Sequence, residues 1–188
     1  MRCVQDDPLV PAENKWCLLL DCSNAFNCVS REVLLNEARA WVPACSAWME
    51  CCYSSPPFLH LGDYTIRSCC GVQQGDPLGP LGFALVLHSV VEWIRREVPG
   101  LVINAWYLDD GTLCGLGADL LKALTIIEEE EPGRGLLLNR IKSLLFVPEG
   151  ADIHNNPLPT DIPLTREGFS LLGSPIGPPS FCSSFVCR

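Results

Sequence analysis

The chain has 188 residues, of which 48% are hydrophobic and 19% are charged. This composition is typical of one globular domain with a substantial core, and it excludes an intrinsically disordered chain. The formal net charge of −9 argues against a free-standing nucleic-acid binder, because affinity for phosphates comes mainly from Lys and Arg. An acidic balance suits either a segment that binds divalent cations or an ordinary acidic protein.

The chain contains twelve cysteines, and no secretory signal is recognisable before them. Neither these cysteines nor the three histidines have the spacing of a zinc site, so buried free thiols are expected. The longest apolar stretch, 78–91, is shorter than the ~20 residues of a membrane helix. We therefore expect an intracellular protein, nuclear or cytoplasmic, that is not secreted and does not enter a membrane.

The first third of the chain predicts one strand and two helices. The apolar run 16–20 is typical of a strand buried on both faces, and it ends at Asp21. Ser30 is a good N-cap for a helix over 31–41, and a second helix is predicted over 44–53. A carboxylate is thereby expected at the end of a buried strand.

A hairpin and a long helix are predicted next. Residues 58–61 and 64–67 alternate on either side of a glycine turn, as strands of a β-hairpin do. Asp76 as N-cap and Pro77 at the first helical position predict a helix whose apolar face continues to Val98. The glycines between hairpin and helix should therefore form a loop.

The second half of the chain predicts another hairpin, with two acids at its tip. Segments 101–108 and 112–114 are prone to form strands, and residues 109–111, Asp-Asp-Gly, have turn chemistry. A helix over 118–130 should end at Pro132 and Gly133. Two further strands are predicted, over 143–147 and over 169–173.

Three carboxylates are thus expected at strand ends, namely Asp21, Asp109 and Asp110. In-line phosphoryl transfer uses two divalent ions about 3.5–4 Å apart to stabilise the attacking and leaving oxygens. Mg²⁺ takes only one or two protein carboxylates besides waters and substrate phosphates, so three Asp residues from two strands are sufficient. Joining a nucleotide to a growing strand is one such phosphoryl transfer.

Five segments resemble the motifs of reverse transcriptases, in that family's order. Residues 21–26, DCSNAF, are similar to the first catalytic motif, and residues 107–110, YLDD, to the Y-x-D-D motif. Between them, residues 71–80, GVQQGDPLGP, resemble the segment that contacts template and nucleotide. Residues 135–142 resemble the fourth palm motif, and residues 171–177 resemble the turn that grips the primer.

This resemblance implies an α+β polymerase palm, an antiparallel sheet with helices packed on one face, over 16–177. Residues 1–15 would be an N-terminal remnant and residues 178–188 a truncated tail. The implied activity is that of an RNA-directed DNA polymerase, which transfers deoxynucleotides to a primer 3′ end with two Mg²⁺ or Mn²⁺ ions. The amino-acid sequences of segments 24–27 and 74–80 are more similar to those of non-LTR retroelement enzymes than to those of retroviral enzymes.

Carried over by residue, the resemblance makes Asp21, Asp109 and Asp110 the metal ligands. Phe26 would be the steric gate that excludes a ribose 2′-OH, and Lys142 would protonate the pyrophosphate leaving group. Plain core packing of Phe26 and a solvated Lys142 are the alternatives. The substrate contacts implied besides Phe26 are Gln74, Gly75, Tyr107, Leu172 and Gly173.

The implied partners are an RNA or DNA template-primer and deoxynucleoside triphosphates. Only twenty residues precede Asp21 and eleven follow Gly177, so the fingers and thumb that hold nucleic acid are expected to be missing. The alternative function is a non-catalytic remnant or domesticated palm acting as an interaction module, and a fragment of a longer reading frame would look the same. An RNA-templated RNA polymerase is a third option, disfavoured by Phe26 and by the YLDD turn.

Overall fold

A computed structural model describes residues 15–73, 75–153 and 156–186. These residues form two compact units: unit 1 contains the described residues of segments 15–21, 98–124 and 139–186, and unit 2 contains those of segments 22–97 and 125–138. In chain order the elements are β1 (Trp16–Leu20), α1 (Ala25–Cys28), α2 (Arg31–Trp41), α3 (Pro43–Tyr53), β2 (Phe58–Leu61), β3 (Tyr64–Arg67), α4 (Gly79–Glu97), β4 (Ile103–Tyr107), β5 (Asp110–Gly115), α5 (Gly117–Arg134), β6 (Leu144–Phe146), β7 (Leu164–Thr165), β8 (Phe169–Leu171), β9 (Ser174–Ile176) and α6 (Pro179–Val186).

Unit 1 is built on a five-stranded sheet with the strand order β4-β5-β1-β6-β7. All its strand pairs are antiparallel except β6–β7, so the predicted α+β fold with an antiparallel-rich sheet is confirmed. β1 is the central strand, but only Trp16, Leu18 and Leu20 are fully buried, whereas Cys17 and Leu19 are half-buried. The prediction of burial on both faces was therefore wrong for the face that carries Cys17 and Leu19.

Unit 2 is built mainly on helices α2, α3 and α4. α2 begins where predicted, because the Ser30 side chain accepts a hydrogen bond from the backbone N–H of Val33 at 3.4 Å. In α4, Phe83, Val86 and Val90 recur at helical spacing and are almost completely buried. These side chains form the centre of the core of unit 2.

The β2–β3 hairpin also has its predicted bounds, with Gly62 in the turn at φ 58°. All eight of its strand residues are exposed, and it forms a separate two-stranded sheet among the residues described. Turn chemistry and alternation therefore identified the hairpin, although neither face of it is buried.

Two helix boundaries differ from the predictions. α4 begins at Gly79 rather than at Pro77, because the Asp76 side chain accepts a hydrogen bond from the backbone N–H of Leu78 and so closes a turn before the helix. α5 passes through Pro132 and ends at Arg134. Its last turn is held by the Arg134 guanidinium, which lies 2.7 Å from Glu130 and also donates to the carbonyl of Val86 and the hydroxyl of Ser89.

In the part of the chain that the structure describes, no helix combines the length and the apolar character needed to cross a bilayer.

Candidate active site

The two neighbouring acids lie at the tip of the β4–β5 hairpin. Tyr107 pairs with Asp110, so the loop consists of only Leu108 and Asp109. The turn thus begins one residue earlier than the predicted 109–111, and both Asp110 and Gly111 belong to β5. Leu108 has φ 55°, a left-handed conformation that costs a side chain with a Cβ on the order of 1–2 kcal/mol. Such strain is typical of tips whose geometry the surrounding strands enforce.

Asp21 directly follows β1, and its main chain is held on both sides by the turn before β6. Its backbone N–H donates to the Ser143 hydroxyl at 3.2 Å, and its carbonyl accepts from the backbone N–H of Asn139 at 2.8 Å. The Ser143 hydroxyl in turn donates to the Asn139 carbonyl at 2.9 Å. Ser143 is only 1% exposed, so this connection is shielded from water. The position of Asp21 is fixed by a polar network as well as by the strand.

Strand register brings Asp21 to the hairpin tip. The last β1–β5 pair is Leu20 with Gly111, so the next residues outward are Asp21 and Asp110. Burial raises the pKa of Asp110 above its ordinary value, and the negative charges of Asp109 and Asp21 raise it further. All three carboxylates belong to unit 1, and Asp110 interacts electrostatically with the other two.

The chemistry of this trio fits a hard divalent cation. Carboxylate oxygens are the ligands that Mg²⁺ and Mn²⁺ prefer, and a cation relieves the repulsion that raises the pKa of Asp110. Within segments 15–73, 75–153 and 156–186, no three His, Cys, Asp or Glu side chains are grouped tightly enough to form a ready-made metal site. The trio is therefore a loose set of ligands whose final spacing a bound ion would have to set.

Gly111 has a packing role rather than the predicted turn role. It lies opposite Trp106 in the hairpin, and a Cβ at this position would come within 2.6 Å of the Trp106 ring. The Trp106 ring nitrogen donates to the Asn104 side chain at 3.0 Å, which fixes the indole across the glycine. The flat strand beside Asp110 is thus covered by one aromatic ring.

In unit 2, the loop before α4 is tied to residues near the start of the unit. Gly71 has φ 74°, and a Cβ there would lie 2.3 Å from the Asn27 carbonyl oxygen, so only glycine fits. The buried Arg31 donates to the Gly71 carbonyl at 2.8 Å and also to Ser68. Gly75 has φ 90°, and no atom lies within 4 Å of a Cβ built there. Gln74 lies outside the described residues.

Tyr53 supports the same loop through its hydroxyl group. The hydroxyl donates to the Asp76 carboxylate and accepts from the backbone N–H of Gln73 at 3.3 Å. Burial raises the pKa of Tyr53 to about 12, and the hydrogen bond to Asp76 raises it as well. Both ends of the loop segment 73–76 are therefore fixed by one phenol.

Phe26 lies in α1 and is half-buried. Its ring stacks on that of Phe83, with centroids 4.9 Å apart, and its carbonyl accepts from the backbone N–H of Val72 at 2.7 Å. The residue is thus held by the unit 2 core and bonded to the start of the 71–76 loop. The half-buried Phe26 ring, whose residue is bonded to the 71–76 loop through its backbone, is compatible both with a steric gate for the nucleotide and with plain core packing.

The remaining predicted residues lie in turns of unit 1. Lys142 is exposed, and its backbone N–H donates to Asn139. Leu172 and Gly173, at φ 49° and 82°, form the two-residue turn between β8 and β9. The predicted strand 169–173 therefore ends at Leu171, and β9 follows the turn.

A family model described as reverse transcriptase (RNA-dependent DNA polymerase) matches residues 5–176. The chain belongs to the reverse transcriptase family. No curated protein matches. The telomerase of Candida albicans, solved with a fragment of telomeric RNA, is structurally similar with a TM-score of 0.61 and 10% sequence identity. The match covers 89% of this chain and 30% of the telomerase chain, so the chain spans less than a third of that structure.

In this reverse transcriptase chain, the supporting residues of the site were not predicted. Ser143 accepts a hydrogen bond from the backbone of Asp21, and the Trp106 ring packs over Gly111. Tyr53 accepts a hydrogen bond from the backbone of Gln73 in the loop before α4. Each acts over a long sequence separation or across strands. The one sequence signal for such supporting roles is that the hydroxyl groups of Ser and Tyr can donate one hydrogen bond while they accept another.

Proposed function

We propose that this chain is the catalytic palm of an RNA-directed DNA polymerase that transfers deoxynucleotides to a primer 3′ end. The observation that carries the proposal is the strand register that brings Asp21 beside Asp110, at the hairpin tip that also holds Asp109, in a chain of the reverse transcriptase family. Neighbouring carboxylates that repel one another are the arrangement that a divalent-ion site requires. The amino-acid sequences of segments 24–27 and 74–80 support a retroelement of non-LTR type as the source.

Asp21, Asp109 and Asp110 would hold two Mg²⁺ or Mn²⁺ ions. Such ions, when bound, stabilise the attacking and leaving oxygens of in-line phosphoryl transfer. The task of the chain's own residues is positioning. Ser143 and Asn139 fix the main chain of Asp21, and the strained Leu108 turn fixes Asp109 beside β5.

Substrate selection and proton transfer are assigned to two further residues. Phe26, braced by Phe83, would exclude a ribose 2′-OH, and Lys142 would donate a proton to the pyrophosphate leaving group. The residues proposed to contact nucleotide or primer are Gln74, Gly75, Tyr107, Leu172 and Gly173. Gly75 supports this assignment because its open, left-handed backbone lets a substrate approach closely.

The proposed partners are a template-primer and deoxynucleoside triphosphates, met in the nucleus or cytoplasm. The similar telomerase structure contains telomeric RNA, which supports nucleic-acid binding in this family. The net charge of −9 provides little phosphate-neutralising surface. We therefore propose that basic fingers and thumb segments supply most of the affinity for nucleic acid.

Metal binding is the first test. Calorimetric titration with Mg²⁺ and Mn²⁺ should detect weak binding that is lost when Asp109→Asn and Asp110→Asn are combined. Asp63→Asn is the matched control, because it also removes a carboxylate from the two-residue loop of a hairpin. Equal binding by the double variant and the wild type would contradict the proposed site.

Synthesis is the second test. Fused to fingers and thumb of a related polymerase, the chain should extend a primer on RNA, and Asp21→Asn should reduce kcat by orders of magnitude while template affinity is kept. In the fusion, Phe26→Val should raise kcat/KM for ribonucleotides relative to deoxynucleotides. An unchanged ratio would remove Phe26 from the gate role.

A non-catalytic interaction module is the second candidate function. It is favoured by the fully exposed β2–β3 hairpin and by the lack of a ready-made metal group among the described residues. The metal titration separates the candidates, because such a module has no need of divalent ions at Asp21, Asp109 and Asp110. Absent ion binding together with an inactive fusion would favour the module.

A further inference from the structure

A pair of cysteines lies across the two central strands of unit 1. Cys17 in β1 is directly opposite Cys114 in β5, and their sulfur atoms are 2.6 Å apart. Directly opposed residues of antiparallel strands have Cα atoms about 4.5–5.5 Å apart, within the range that a disulfide bridges without backbone movement. Both side chains are free thiols here, and the pairing of their strands already gives the Cα spacing that a disulfide between them needs.

The pair occupies the same face of the sheet as the candidate acids. Side chains alternate along a strand, so Cys17 shares a face with residue 21, and Cys114 shares a face with Asp110. Four residues of strand separate each cysteine from its acid, which is about 14 Å. On that face, Ile103 in β4 is the partner of Cys114, and Phe146 in β6 is the partner of Cys17.

The two thiols are unequal, as a reactive pair requires. Cys17 is half-buried, whereas Cys114 is only 1% exposed, so Cys17 is the more accessible of the two. The hydrogen bond from the Cys114 thiol lowers the pKa of Cys17, while the same contact and burial raise that of Cys114. Cys17 is therefore the attacking sulfur, because the thiolate is the nucleophile in disulfide exchange.

We propose that Cys17 and Cys114 form a reversible disulfide, made by exchange with a low-molecular-weight disulfide of the glutathione type, which clamps β1 to β5. The Cys17 thiolate attacks one sulfur of the oxidant and expels a first thiolate, leaving a mixed disulfide. Cys114 then loses its proton and attacks the Cys17 sulfur, which expels a second thiol. Two protein thiols are oxidised and one small disulfide is reduced to two thiols.

The clamp joins the strands that carry Asp21 and Asp110, so it would fix the register on which the acid cluster depends. Intracellular disulfides are mostly transient and redox-sensing, which agrees with a pair that is free in its resting state. The proposal concerns only β1 and β5, and it holds whether or not the chain polymerises nucleotides.

The test is to incubate the folded full chain with oxidised glutathione, block remaining thiols and digest with trypsin. Peptides 16–31 and 97–122 should appear joined, lighter by two hydrogen atoms than their sum. Peptide 16–31 also contains Cys22 and Cys28, so fragment spectra must place the bond at Cys17. A chain without the joined peptide, or with the bond at Cys22 or Cys28, would overturn the proposal.

Two variants separate the steps. Cys114→Ser should trap glutathione on Cys17, and Cys17→Ser should give no joined peptide and leave Cys114 unmodified. Cys28→Ser is the matched control, because it removes another half-buried cysteine from the same peptide and should leave the joined peptide unchanged. A joined peptide that persists in Cys17→Ser would refute the assignment.

A stability measurement on the wild type needs no variant. The oxidised chain should unfold at a higher urea concentration than the reduced chain, and dithiothreitol should reverse the shift. An oxidised chain that unfolds at the same or a lower concentration would contradict the clamp.

Discussion

The β2–β3 and β4–β5 hairpins are built alike and differ in what surrounds them. Each has a two-residue loop that contains an Asp, with Gly62 in one and Leu108 beside Asp109 in the other. All strand residues of β2–β3 are exposed, whereas residues 111–115 of β5 are buried because β5 also pairs with β1. Turn chemistry can thus build a hairpin anywhere, but an acid at the tip gains a fixed position only where a central strand anchors one arm.

Truncation of one apolar side chain in each hairpin should give the largest contrast. Leu113 in β5 is 0% exposed, and Leu113→Ala should lower the free energy of unfolding by about 2–5 kcal/mol through lost burial and a cavity. Leu59 in β2 is 50% exposed, and Leu59→Ala should change the free energy of unfolding by about 0.5 kcal/mol or less. Urea unfolding measures both. Equal losses would show that β2–β3 is covered in solution.

Substitution of the glycine should also cost more stability in β4–β5, at Gly111, than in β2–β3, at Gly62. Gly111→Ala should cost about 1–3 kcal/mol, because the added methyl meets the Trp106 ring and the strand must shift. Gly62→Ala meets no atom within 4 Å and should cost only the left-handed backbone penalty of about 1 kcal/mol. Urea midpoints of the two variants check this order, and a smaller cost at Gly111 would contradict the packing role.

Relief of strain at the acid tip should stabilise the protein. Leu108→Gly removes the Cβ that disfavours φ 55°, and the net gain should be about 0.5–1 kcal/mol after the extra chain entropy of glycine is subtracted. Leu61→Gly in β2, with no positive φ to relieve, should instead lose about 0.5–1 kcal/mol. Thermal unfolding of both variants tests the sign, and a destabilised Leu108→Gly would mean that the Leu side chain packs usefully.

The pH dependence of stability should show the smallest effect. The pKa of Asp110 is higher in the folded chain than its ordinary 3.8, so the folded state binds this proton more tightly than the unfolded state does. Stability from this group is present at low pH and is lost as pH rises from about 3.8 through the raised value. Asp110→Asn should remove that loss and stabilise the neutral-pH protein by up to about 0.5 kcal/mol.

The control for this experiment is Asp63→Asn, at the tip of the exposed hairpin. Urea unfolding at acidic and neutral pH should give parallel curves for this variant and the wild type, and a flatter curve for Asp110→Asn. Added Mg²⁺ should narrow the difference between wild type and Asp110→Asn, because a bound cation relieves the same repulsion. If the stability of the wild type depended on pH in the same way as that of Asp110→Asn, charge repulsion among the carboxylates at the β4–β5 tip would be excluded.

Local signals predicted most of the elements that position the site. β1, the Ser30-capped α2 and both arms of β2–β3 have the predicted bounds, since caps, alternation and glycine turns act over a few residues. The errors arose where a local signal met a distant partner. Pro132 did not end α5, because Arg134 is held by groups from α4 and from its own preceding turn.

For the candidate site, the sequence predicted the three acids and the residues carried over from the family motifs, but not the groups that hold them in place. The β4–β5 turn is displaced from the predicted 109–111 because Gly111 is needed beneath Trp106, which no turn rule anticipates. Ser143 and the Cys17–Cys114 pair depend on which strands become neighbours, and a single sequence does not specify that pairing. The roles of Phe26 and Lys142 stay predictions that the proposed experiments address.

The central position of β1 also matters for how the chain is made. β1 precedes both of its neighbouring strands in the chain: the partner of Cys17 lies 97 residues later, and Ser143, the partner of Asp21, lies 122 residues later. An apolar strand, Trp-Cys-Leu-Leu-Leu, must therefore leave the ribosome without either neighbour. Such delayed pairing slows folding, and both edges of this strand stay unpaired and prone to aggregation until residues 110–115 and 144–146 have emerged.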